Sequence, residues 1–199
     1  MKINCIVLAG GKGRRLGRDK ALETIGGRSL IERAVTSLGY FQGEIIVVAD
    51  VARQDLGLEK LPRVRLATDT FPNQGPLSGI HGGLSVSDTF YNIVVACDMP
   101  FLNIPLLEYM AGQAKGYDAA VPRLDDGLEP LHAIYGKSCL KAIEAMFAEG
   151  DCQVHHLFER LNARYIEATE IDRFDPRHLS FFNINTKSAL ARARELAGN

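Results

Sequence analysis

Ile3-Asn4-Cys5-Ile6-Val7, followed by Leu8-Ala9-Gly10-Gly11-Lys12-Gly13-Arg14-Arg15-Leu16-Gly17-Arg18-Asp19-Lys20, is the stretch on which the reading of this chain turns. The apolar run reads as a buried strand, and residues 10–20 that follow hold four glycines and five cations. Glycine lacks a Cβ and tolerates positive φ, so backbone N–H groups in such a loop can turn toward anionic oxygens, while Lys and Arg supply compensating charge. A strand that delivers its chain into a cationic glycine loop is the entry to a nucleoside triphosphate site. Two common phosphate loops fail on register. A P-loop needs Gly-Lys followed by Ser or Thr, whereas Lys12 is followed by Gly13. The dinucleotide fingerprint would set its third glycine at Leu16, and the chain has Gly17 instead. That mismatch also argues against a nicotinamide-dependent oxidoreductase.

The rest of the chain surrounds this strand with alternating elements. Glu44 to Ala49, Val64 to Ala67 and Ile93 to Cys97 are apolar runs of the kind found in strands covered on both faces. Shorter strand candidates lie at Asp118 to Pro122, Leu131 to Tyr135 and Arg164 to Glu167. Ser29-Leu30-Ile31-Glu32 fits a capping box that opens a helix, with Leu30, Ile31, Ala34, Val35 and Leu38 on one face and Gly39 as its stop. Further helices are expected from Pro105, around Leu140, Ile143 and Phe147, and around Leu190 and Leu196. The alternation predicts an α/β fold, a doubly wound three-layer sandwich with a mostly parallel sheet. No linker or repeat divides residues 1–199, so the whole chain is read as a single domain.

Composition limits the partner. The net charge of −1 argues against a nucleic acid or an anionic membrane as ligand and for a local grip on a small molecule. No apolar run is long enough to span a bilayer, and the cationic loop interrupts any signal-peptide core, which points to a cytoplasmic protein. Cys5, Cys97, Cys139 and Cys152 are widely spaced and read as thiols rather than zinc ligands. His155 and His156, on an expected helix, are assigned no metal, and His132 reads as a surface or satisfied core histidine.

In open α/β sheets ligands bind beyond the carboxyl ends of the strands. Two further ends therefore matter besides the glycine loop. Asp69 follows Val64 to Ala67 and precedes Gly75-Pro76-Leu77-Ser78-Gly79-Ile80, a tight turn into a helix with open N–H groups at its start. Asp98-Met99-Pro100 ends the most apolar strand, and a carboxylate facing a phosphate loop is suited to Mg²⁺, which takes one or two carboxylates together with phosphate oxygens.

Together, the glycine loop ending in Asp19-Lys20-Ala21-Leu22, the Gly75-Pro76-Leu77-Ser78-Gly79-Ile80 turn, Asp98-Met99-Pro100-Phe101 and the late Asn183-Ile184-Asn185-Thr186 resemble the molybdenum cofactor guanylyltransferases. The resemblance implies a Rossmann-like domain that takes GTP and Mg²⁺, attaches GMP to the phosphate of molybdopterin and releases pyrophosphate. Molybdoenzymes or cofactor chaperones would be its downstream partners. It further implies that Leu8, Ala9 and Gly10 line the nucleotide, with Gly11 and Gly13 in the same loop, that Lys20 touches the phosphates, that Asp69 contacts the nucleoside and that Asp98 holds the metal. An acceptor phosphate is already an anion, so no strong base is needed; Lys20 and Arg15 are the candidates for offsetting charge on the leaving pyrophosphate. Asn183 and Asn185, expected at the end of a strand, are the candidates for the acceptor end, with Thr186 capping the next helix. Asp50 stands where the family often carries asparagine, and Gly150 to Val154 lacks the arginines expected of a phosphate grip. A relative using CTP or another triphosphate on molybdopterin, a sugar phosphate or methylerythritol phosphate is the alternative enzyme. A nucleotide-binding regulatory module is the non-catalytic alternative.

Overall fold

The computed structural model describes residues 2–10, 20–49, 56–58, 61–68, 71 and 74–198. From the N-terminus, β1 (Asn4–Leu8) leads to a 3-10 turn (Lys20–Leu22), the short strands β2 (Thr24–Ile25) and β3 (Arg28–Ser29), helix α1 (Leu30–Leu38), β4 (Ile45–Ala49) and β5 (Val64–Thr68). Next come α2 (Pro76–Val86), β6 (Tyr91–Ala96), α3 (Ile104–Gln113), β7 (Ala119–Leu124), β8 (Gly127–Leu128) and β9 (His132–Gly136). The chain continues through α4 (Cys139–Ala148), α5 (Val154–Leu157), β10 (Ala163–Glu167), α6 (Ala168–Ile171), a second 3-10 turn (Leu179–Phe181) and α7 (Lys187–Leu196).

The main sheet runs β10-β7-β9-β6-β1-β4-β5, with β8 as a hairpin partner of β7. Strand β1 lies near its middle, parallel to β4 through Cys5↔Ile45 and to β6 through Cys5↔Ile93. All five of its residues are buried, as a strand covered on both faces requires. Alternate side chains go to opposite faces. Cys5 and Val7 join the side chains of α1 and α3, including Ile31, Val35, Leu107 and Met110. Ile6 and Leu8 join those of α2 and α4, including Leu77, Ile80, Ile143 and Met146. The result is the expected three-layer α/β sandwich. Helix α2 lies very close to β1, because a Cβ on Gly83 would fall 2.5 Å from Cγ2 of Ile6.

The expected strands and helices form within a few residues of their predicted bounds, and the capping box of α1 is intact, with Glu32 N donating to Ser29 Oγ and Ser29 N to Glu32 Oε2. Three points differ. Strand β9 is antiparallel to both β6 and β7, which interrupts the parallel order on one side of the sheet. The strand expected before Asn183 is the second 3-10 turn, whose N–H groups are already committed: those of Leu179 and Ser180 donate to the buried Asp175 carboxylate at 3.1 and 2.7 Å. A small third core of Ile25, Leu30, Ile184, Leu190 and Ala193 ties the β2–β3 hairpin to α7. Among the described residues no helix is long and apolar enough to cross a membrane.

His132 is not a satisfied core histidine. It is fully buried at the start of β9, its ring edge-on to Phe181 at 5.0 Å, and neither ring nitrogen has a hydrogen-bond partner. Burial lowers its pKa from 6.5 to about 4, against a smaller opposing pull from Asp175. The unfolded chain therefore binds a proton that the folded chain refuses in this window, and stability drains away as pH falls from 6.5 toward 4. His132→Phe removes two unpaired polar atoms at similar volume. It is expected to gain about 1–2 kcal/mol at neutral pH and to lose less stability than the parent between pH 7 and pH 5, as read from urea unfolding at both values.

Candidate functional site

The carboxyl ends of β1 and β6 converge on three polar side chains. Strand β1 remains bonded to its neighbours to the end, since Cys97 N donates to Leu8 O at 3.1 Å and Ala9 N to Val48 O at 2.9 Å. The side chains of Leu8 and Ala9 are buried, so these residues can meet a ligand only through backbone. Gly10, exposed and with open space where a Cβ would stand, is the first residue past that anchorage. Gly11, Gly13, Arg15 and Asp69, expected at the nucleotide, lie outside the described residues, as does Asp50.

Lys20 opens the first 3-10 turn, held by Glu23 N donating to its carbonyl at 3.1 Å and by the buried Ala21 beside it. Its ammonium donates to Asp98 Oδ2 at 2.6 Å and to Asn185 Oδ1 at 2.5 Å. The Lys20 and Asp98 side chains are 20% and 18% exposed, which removes much of the water that would weaken the pair. Asp98 is fixed through its backbone as well, because Ile184 N donates to its carbonyl at 3.0 Å and Ile184 is buried in the third core. The segment carrying Asn183 and Asn185 is thus pinned directly onto the end of β6. Thr186 caps α7 by accepting from Ala189 N at 3.1 Å, and Asn183 donates to Phe181 O at 3.3 Å.

Asp98 Oδ1 is buried and has no hydrogen-bond partner. One paired and one unpaired carboxylate oxygen fit a single protein ligand for a hard divalent cation whose other ligands come from a substrate. Among the described residues no group of three or more His, Cys, Asp or Glu is placed to hold a metal. The Gly75 turn also forms as expected. Gly75 has φ 70°, Pro76 opens α2, and Ser78 is turned back to fix the preceding loop, donating to Phe71 O at 2.7 Å and accepting from Phe71 N at 3.2 Å. His155 is exposed and His156 contacts Asp151 at 2.9 Å.

Glu129 lies in the short segment leading into β9, and its pKa is raised from 4.5 to about 7 by burial, with the negative Asp126 adding to the rise. The Glu129-Pro130 pair was visible in the sequence. The Glu129 backbone is fixed by a turn, with its N–H donating to Pro122 O at 3.0 Å and its carbonyl accepting from His132 N at 3.1 Å.

An open sheet whose first strand leads into a cationic glycine-rich sequence, with a lysine bonded to a carboxylate at the neighbouring strand end, is the arrangement of a Rossmann-like nucleotidyltransferase. The sequence profile of the MobA-like NTP transferase domain matches residues 5–165. The chain is 37% identical to a probable molybdenum cofactor guanylyltransferase of Pelotomaculum thermopropionicum over 194 residues, covering 98% of this chain and 93% of that one. It is 36% identical to a probable molybdenum cofactor guanylyltransferase of Methanosarcina mazei, covering 98% and 93%. The crystal structure of molybdopterin-guanine dinucleotide biosynthesis protein A from Archaeoglobus fulgidus superposes with a TM-score of 0.86 at 32% identity, covering 98% of this chain and 99% of that one. The chain belongs to the MobA-like NTP transferase family.

Removing the ammonium separates function from folding at this pair. Lys20→Met is expected to cost roughly 1–3 kcal/mol, the worth of a charge-assisted hydrogen bond, and to unfold in one cooperative transition in urea. A variant that fails to fold would make the pair part of the scaffold.

Proposed function

We propose that this protein transfers GMP from GTP to the phosphate of molybdopterin, giving the guanine dinucleotide form of the cofactor and pyrophosphate. The observation that carries the reading is the meeting of Lys20, Asp98 and Asn185 at the carboxyl end of β6, with one Asp98 oxygen left open, in a chain whose relatives bear guanylyltransferase names.

In this reading the nucleotide lies along Leu8, Ala9, Gly10, Gly11 and Gly13, with backbone N–H groups turned to its phosphates, and Asp69 contacts the nucleoside. An oxygen of the acceptor phosphate forms a bond to the α-phosphorus while the bond to the bridging oxygen of pyrophosphate breaks. The attacking oxygen is already anionic, so no residue need remove a proton, and catalysis consists of alignment and charge compensation. Lys20, held between two oxygen acceptors, is placed to exchange them for phosphate oxygens, and Arg15 adds a second cation. Asp98 Oδ1 is the group that would hold Mg²⁺, which when bound neutralises charge on the triphosphate. Asn183 and Asn185 belong to the acceptor side. The setting is the cytoplasm, with molybdoenzymes or cofactor chaperones as recipients.

Thermal stabilisation by GTP, CTP, ATP and UTP, each with Mg²⁺, tests the donor. GTP is expected to give the largest shift, and equal shifts or a preference for CTP would remove the guanylyl reading. Asp98→Ala is expected to remain folded while pyrophosphate release with GTP and molybdopterin falls by about a hundredfold or more; retained activity would refute the metal assignment.

A further inference from the structure

We propose that Lys20 guards the metal ligand: its ammonium keeps Asp98 from taking a divalent cation until a nucleoside triphosphate draws the ammonium away, so that cation and nucleotide enter together. The inference rests on the transfer reaction above and sets the order in which its parts are loaded. The guard joins distant parts of the chain. Lys20 Nζ donates to Asp98 Oδ2 at 2.6 Å and to Asn185 Oδ1 at 2.5 Å. Both acceptors are fixed, because Ile184 N donates to the Asp98 carbonyl at 3.0 Å and Ile184, next to Asn185, is fully buried. On the other side of Asn185, Thr186 caps α7. The backbone of Lys20 is set by the 3-10 turn that buries Ala21. The ammonium therefore bridges two held oxygens on a flexible four-carbon stem, and that stem is the part of the arrangement able to move.

The consequence is electrostatic. A carboxylate with an ammonium on one oxygen carries little net charge, and the Lys20–Asp98 pair lies mostly out of water, so repulsion between the ammonium and a second cation on the same group is weakly screened. Asp98 Oδ1, buried and without a partner, offers such a cation one oxygen on a group already neutralised. Mg²⁺ gives up water reluctantly, and one ligand of this kind is a poor exchange for it. A triphosphate changes both sides of the balance. Its anionic oxygens accept from Lys20 in place of Asp98 and Asn185, which restores the charge of the carboxylate, and they complete the ligand set of the cation. Each of the two then raises the affinity of the other by the same factor, as linkage requires. Until the nucleotide arrives, the same lysine shields it from the repulsion of a bare carboxylate.

Binding of Mn²⁺ without nucleotide, read from the loss of the free ion's EPR signal, tests the guard and needs no turnover. Lys20→Met is expected to bind Mn²⁺ about tenfold or more tightly than the parent, and the Lys20→Met, Asp98→Asn double variant to lose that gain. Unchanged or weaker binding in Lys20→Met overturns the proposal, and so does a gain that survives removal of the carboxylate. Lys20→Gln keeps an N–H donor for Asp98 without the charge, which protects the test against a Lys20→Met chain that does not fold; the same gain is expected, and its absence overturns the guard. Pyrophosphate release by the parent with GTP, Mg²⁺ and molybdopterin separates the two levels. A gain in the variants with no release by the parent upholds the guard and sinks the transfer reaction alone. Release by the parent with no gain in either variant sinks the guard alone.

Discussion

The contact on which the site depends is the hydrogen bond from the Lys20 ammonium to the Asp98 carboxylate, 2.6 Å long and mostly out of water. It ties the first 3-10 turn to the end of β6, the strand next to β1 in the sheet. Asp98 is in turn held by its carbonyl to Ile184, and Ile184 is packed with Ile25 and Leu30 from the opposite end of the chain. Residues 20, 98 and 185 are therefore set by one small apolar core rather than by three independent loops. A lysine and an aspartate in water would gain little from each other; a shared, preorganised setting lets one carboxylate keep an oxygen unpaired without collapsing onto a neighbour.

At this edge of the sheet β1, β4 and β6 end, β6 leading into Asp98, and β9 begins. Because β9 runs against its neighbours, it offers this edge the residues that precede a strand rather than those that follow one. An all-parallel sheet would have sent Glu129 and His132 to the opposite edge.

The fold was legible where burial on both faces left a clear mark. Val7, Ile46 and Val94 lie within continuous apolar runs, and their parallel pairing follows from the helices between them. Direction was not legible for Leu131 to Tyr135, because a short apolar run reads the same either way and its orientation is set by the β7–β8 hairpin before it. The β2–β3 hairpin did leave a signal: Gly26-Gly27, at φ 59° and 75°, forms the two-residue turn that such a pair favours. At the site, Lys20, Asp98 and Asn185 were each recognisable by residue type and position after an apolar run or near the last helix. Their direct bonding was not, since it links positions separated by most of the chain through tertiary packing. Phe181 and Phe182 suggested a strand because aromatic residues favour one, but the Asp175 carboxylate had already claimed the backbone donors of that segment.

Polar atoms left unpaired in the interior show where folding yields to another demand. Among the described residues, buried side-chain atoms without partners are Arg33 Nε, Asp98 Oδ1 and both ring nitrogens of His132. All but the first lie on β6 and β9 or just beyond them, at the edge that also carries the desolvated Glu129. Elsewhere the same chain satisfies such groups readily: Asn4 and Asn92, fully buried at the opposite edge, share a network with Ser87 and Thr89. The same sequence thus pairs its polar atoms at one edge of the sheet and leaves some unpaired at the other, where each lowers stability. For Asp98 the missing partner is the cation that the proposed transfer reaction would bring. The ring of His132 faces Phe181 instead, so its unpaired nitrogens weigh on the fold alone.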